Sequence, residues 1–109
     1  AQVRTGVLVA FCAHTSASLC VQENADSAVK RDLLAWLERV APDGDARYEH
    51  DDEGPDDMAA HLRSVLTGAS VSIPIVAGAL ALGTWQALYL VEHRTRPHTR
   101  AVVLHVLGE

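Results

Sequence analysis

A chain of 109 residues makes one domain, small enough that a partner subunit is expected to help complete its core. Hydrophobic residues make up 49% of it, which excludes intrinsic disorder. A net charge of −5 with only nine Lys and Arg excludes a general nucleic-acid binder, which needs clustered cations to neutralise phosphates.

No run of about 18 apolar residues and no charged-then-apolar leader occurs, so neither a membrane span nor a signal peptide is indicated. Cys12 and Cys20 sit in apolar stretches without Cys-x-x-Cys spacing and read as buried thiols of a reducing compartment. A cytoplasmic location is therefore expected. The sequence starts at Ala1 almost inside a strand-like run, and some native N-terminal sequence is expected to be absent.

In chain order, Gly6 to His14 is an apolar run that predicts a buried strand, closed by the polar cluster Thr15 to Ser18. Leu19 to Val21 predicts a second strand, with Gln22, Glu23 and Asn24 at its end. From about Ala25 to Val40, the residues Val29, Leu33, Trp36, Leu37 and Val40 recur at helical spacing. Asn24 or Asp26 can cap that helix, and Pro42 stops it. Pro42 to Pro55 reads as a loop carrying Tyr48 and His50 amid five acidic residues from Asp45 to Glu53.

A second helix is predicted from about Asp56 to Leu66, with Met58, Leu62, Val65 and Leu66 as its buried stripe and Gly68 as its stop. His61 lies one turn beyond Asp57, so a carboxylate and an imidazole share one side of this helix. Ala69 to Val76 predicts a strand confined to an edge or a bulge by Pro74. After Gly78, Leu80 to Glu92 reads as one long central strand, with Gln86 and Glu92 on the same face and Trp85 on the other. His93 to Arg100 is a basic connection, and Ala101 to Leu107 returns as a strand containing His105. The order β-β-α-α-β-β-β predicts an α+β fold, a mostly antiparallel sheet with two helices packed on one face.

Six histidines invite a metal, yet no two have the helical His-x-x-x-His spacing. Position says more than spacing. His14 ends a strand, His50 sits in the long loop and His61 lies on the nearby helix, where sites are commonly built. Gln86 and Glu92 on a strand that asks to be buried need polar partners.

The segments His14-Thr15-Ser16-Ala17, Glu23-Asn24, Tyr48-Glu49-His50, Ala60-His61-Leu62 and Gly78 to Gln86, with Glu92, resemble the YjbQ family of secondary thiamine-phosphate synthases, in order through nearly the whole chain. The resemblance implies a single domain over residues 1–109, an α+β homotrimer and a weak ability to form thiamine phosphate in a histidine-lined pocket. It also implies an absent N-terminal strand, and asparagine in place of Asp57 in many members.

On this reading His14, His50 and His61 are metal ligands for zinc or magnesium, and His14, His61, Glu92 and Gln86 form the catalytic set. Thr15, Glu23, Trp85, Arg96 and Arg100 contact substrate, with Trp85 stacking on the pyrimidine and the arginines meeting phosphate. The expected partners are a small-molecule substrate and further copies of the chain. The alternatives are a metal-dependent hydrolase or phosphatase, and a non-catalytic trimer that binds a metabolite or an anion.

Overall fold

Apolar and β-branched residues from Val7 to Val9, without proline or charge, make β1 (Thr5–Cys12) a strand with partners on both sides. The computed structural model describes residues 2–109. Its other elements are β2 (Ala17–Glu23), α1 (Ser27–Val40), α2 (Asp57–Thr67), β3 (Ser70–Val76), β4 (Ala79–Leu80), β5 (Gln86–Glu92) and β6 (Val102–Gly108). All pairings are antiparallel. A four-stranded sheet has the order β4-β3-β1-β6, and β2 pairs with β5 in a two-stranded ribbon. The fold is α+β, as expected.

The ribbon lies between the sheet and the helices. Ala17 and Leu19 on one face of β2 meet Ala10 and Cys12 of β1 in the core, with Val71 and Leu88 packed against them. The opposite face carries Ser18, whose hydroxyl bonds to Thr67 of α2, and Tyr89, whose ring lies under Lys30 of α1 at 5.1 Å. Both cysteines are free thiols, Cys12 buried and Cys20 partly so.

Three details differ from the expectations. First, Leu80 to Glu92 is not one central strand. It breaks after β4 into a turn in which Gly83 N–H donates to Gln86 Oε1 (2.7 Å) and Gln86 N–H to Gly83 O (3.0 Å). A glutamine amide that mimics the backbone ends the strand where periodicity alone would run on.

Second, α2 does not bury Val65 and Leu66, which are 82% and 51% exposed. It buries Asp57, Ala59, Ala60 and Arg63. Small alanines admit a close approach to β2, and the two buried charges are satisfied. Third, Trp36 is half-exposed at an apolar cavity of about 450 Å³ between the helices and the ribbon, while Leu37 is the buried residue of α1. Of the two possible caps, Asp26 is the one used, its Oδ1 accepting from Ala28 N–H at 2.9 Å.

Candidate metal centre

The N-terminus of α2 organises the site. Asp56 and Asp57 are both buried, and neither is left as a bare charge. Arg94, just past the end of β5, donates from Nε to Asp56 Oδ2 (2.9 Å) and from Nη2 to Asp56 Oδ1 (3.1 Å). Its Nη1 lies 3.0 Å from Asp57 Oδ1. Thr95 adds its N–H (2.9 Å) and its hydroxyl (3.2 Å) to Asp56 Oδ2. Arg94 above all, with the Thr95 N–H, therefore holds the Asp56 carboxyl far below its ordinary range.

Asp57 uses its other oxygen differently. Oδ2 accepts from His50 Nε2 at 2.7 Å and from His61 Nε2 at 3.1 Å. With no ion bound, an ionised carboxylate only accepts, so each imidazole presents its Nε2–H to the same oxygen, and an ion held there would displace those protons. The rings meet edge to face, 5.4 Å between centroids. Burial pushes the Asp57 carboxyl up, but His50, His61 and Arg94 more than offset it and leave it below the usual value. The Asp57 hydrogen bond in turn raises His50, with Asp52 and Glu53 adding to the effect.

One ligand atom from each of His50, Asp57 and His61 lies within 4.8 Å of the others. Two imidazole nitrogens and a carboxylate oxygen suit a zinc-like ion; the His50 and His61 side chains are 39% and 32% exposed, and His50 Nδ1 lies 3.4 Å from Asp52 Oδ1. The donor set fits a divalent metal.

The other expected residues fall into two groups. His14 lies at the same end of the molecule, but its Nε2 accepts from Ala101 N–H at 2.7 Å, and the ligand set gathered on Asp57 does not include it. It lines a second cavity of about 640 Å³ with Thr15, Ser16 and Arg100. Arg100 is committed to Glu92, donating from Nε at 2.8 Å and again from Nη2. Burial pushes Glu92 up, and Arg100 more than reverses this. Arg96 is exposed on the connection to β6.

Glu23, Trp85 and Gln86 sit at the far end of the ribbon. Glu23 pairs with Gln86 at one end of the register and Ala17 with Glu92 at the other. Six residues of strand, about 20 Å, separate the two ends.

Sequence reading missed Arg94 and His93. Arg94 looked like one more exposed charge of a basic connection. Its only signal in the sequence was its place directly after a strand; its meeting with the paired aspartates is a tertiary contact. His93 is buried, 2.7 Å from Ser18 Oγ and 3.3 Å from Thr67 Oγ1. Burial, helped by the nearby Arg63, lowers it to about 4. Arg63 donates to His93 O (3.1 Å) and twice to Ala41 O, so the end of β5 is tied to both helices.

A profile of the family described as "UPF0047 protein YjbQ-like" matches residues 1–109. The chain belongs to the YjbQ (UPF0047) family. Among its YjbQ relatives, the UPF0047 protein sll1880 of Synechocystis sp. is 54% identical over 107 residues, which cover 98% of this chain and 73% of that protein. The UPF0047 protein YjbQ of Salmonella typhimurium is 43% identical, covering 98% and 77%.

Solved structures share the fold. A hypothetical protein from Aeropyrum pernix K1 superposes with a TM-score of 0.88 at 32% identity, over 99% of this chain and 78% of that one. An uncharacterised YjbQ/UPF0047 family protein of Clostridium acetobutylicum gives 0.87 at 38% identity, over 96% and 78%.

Proposed function

We propose that this chain is a small homotrimeric cytoplasmic enzyme that acts on a phosphorylated heterocyclic substrate at a metal centre formed by His50, Asp57 and His61. The reaction is that of a thiamine-phosphate synthase. The carrying observation is the convergence of three ligand atoms within 4.8 Å, two of them on partly exposed imidazoles. A divalent ion held there would neutralise charge on departing phosphates or, for hydrolysis, make water more acidic.

In the transfer, the thiazole nitrogen attacks the pyrimidine methylene carbon. The carbon–oxygen bond to pyrophosphate breaks, and its electron pair leaves with pyrophosphate. His50, Asp57 and His61 would hold the ion, and in its absence Asp57 Oδ2 fixes both rings. Arg96, exposed nearby in sequence, meets phosphate, while Glu92 keeps Arg100 in place beside His14 and Thr15.

Trp85, Gln86 and Glu23 are about 20 Å of strand away from Glu92, so their part in substrate binding requires a neighbouring copy. Trp85 is 63% exposed and available to stack on a pyrimidine held by the next protomer. The partial exposure of both imidazoles favours metal-assisted hydrolysis of a phosphate ester as the second reading.

Incubation with the pyrimidine diphosphate and the thiazole phosphate separates the two, product being followed by chromatography and phosphate release by a colour assay. Thiamine phosphate is expected, lost on chelation and lost in His61→Ala with circular dichroism and trimer mass retained. Full turnover by His61→Ala overturns the assignment, and phosphate release without condensation moves it to hydrolysis.

A further inference from the structure

We infer that Arg94 sets the class of ion the centre accepts: by holding Oδ1 of Asp57 it leaves that carboxylate one oxygen to give. The centre then takes an imidazole-seeking transition ion of the zinc and cobalt(II) class and rejects magnesium and calcium. This rests on the metal centre proposed above.

Asp57 presents Oδ1 to Arg94 Nη1 at 3.0 Å and Oδ2 to the two imidazoles, and its side chain is only 5% exposed. Chelation through both oxygens would require Oδ1 to leave the guanidinium. Arg94 cannot follow such a rotation, because Nε and Nη2 grip Asp56 and Nη2 also donates to Glu53 O at 2.9 Å. A planar guanidinium moves as one piece, so shifting Nη1 strains the other contacts.

Calcium prefers six to eight oxygens with carboxylates often bidentate, and magnesium prefers an octahedron of oxygens. Two nitrogens and one oxygen satisfy neither, and they match the ligands of zinc and its neighbours. The charge of Arg94 adds to the discrimination. It cancels much of the Asp57 carboxylate, and hard cations depend most on ligand charge. Asp56 acts through Arg94: it holds the guanidinium with Thr95 at its back and makes no contact with either imidazole in the hydrogen bonds of the cluster.

Cobalt(II) absorption reports coordination number without any substrate. The wild type is expected to take one Co²⁺ per chain with a spectrum of low coordination number. Zn²⁺ should displace it, and millimolar Mg²⁺ or Ca²⁺ should leave it unchanged. In Arg94→Gln, Oδ1 is freed, the spectrum should move toward higher coordination, and the preference for Zn²⁺ over Ca²⁺ should narrow at least tenfold.

Asp56→Asn loosens Arg94 without touching Asp57 and should give a smaller change of the same sign, which keeps the test open if Arg94→Gln does not fold. Cobalt binding in the wild type with unchanged spectrum and preference in both folded variants overturns the role of Arg94 alone. Absence of cobalt binding in the wild type overturns the metal centre itself.

Discussion

His93 is a buried imidazole kept neutral, and its surroundings explain why. It is 3% exposed, its Nε2 is engaged by Ser18 and Thr67, and the Arg63 cation lies close by. Its pKa falls from an ordinary 6.5 to about 4 in the folded chain. The unfolded chain therefore binds a proton first as pH drops. Stability is complete above about 6.5, declines as pH falls from there to about 4, and then levels.

The size of this loss is on the order of 3 kcal/mol. His50 works with the opposite sign. Its raised pKa adds stability below the unfolded value, and this is lost as pH rises through the folded one. Thermal unfolding of wild type and His93→Gln between pH 4 and 6.5 separates the two, and the variant should lose most of the acid-side slope. An unchanged slope would place the acid sensitivity elsewhere.

At the scale of elements, the two faces of α2 make the sharpest prediction. Ala60 is fully buried against β2, whereas Val65 is 82% exposed. Ala60→Leu overpacks the contact and should cost about 1–3 kcal/mol in urea unfolding, while Val65→Gln should stay within about 0.5 kcal/mol. The reverse order would restore the stripe expected from periodicity.

That stripe shows what the sequence leaves open. Spacing announces a helix and its ends, as with Asp26, Pro42 and Gly68, but not which side faces the sheet when polar residues can be satisfied inside. The Asp57–His61 pair was legible because residues four apart on a helix meet. Asp57 could be seen reaching one histidine. His50 joining it from a loop depends on tertiary structure, and so does Arg94 arriving from the far end of β5. The turn at Gly83 was not legible, because the strand-like pattern runs through it and the closure depends on the Gln86 amide standing in for backbone groups.

Across the whole molecule, shape argues for self-association. The radius of gyration is 16.0 Å, against about 13 Å for a compact domain of this length, and the extents are 51 × 28 × 19 Å. Strand β6 lies at a sheet edge with every residue exposed, including Val103 at 56%, Leu104 at 61% and Leu107 at 54%. Unprotected apolar edges are uncommon in monomers.

No described helix is long and apolar enough to cross a membrane. Sedimentation equilibrium should give three times the chain mass. Leu104→Asp should shift the protein toward monomer while leaving the β1–β6 ladder, whose backbone bonds do not depend on that side chain. A wild-type monomer at micromolar concentration would remove the shared pocket from the account.

The centre on α2 is tested most directly by X-ray absorption at the zinc edge of protein loaded with one equivalent of zinc. Two imidazoles and a single carboxylate oxygen from the chain should surround the ion, with one imidazole lost in His50→Ala and one in His61→Ala. Failure to retain zinc, or an imidazole count that neither substitution changes, would contradict the assignment of His50, Asp57 and His61 to one ion.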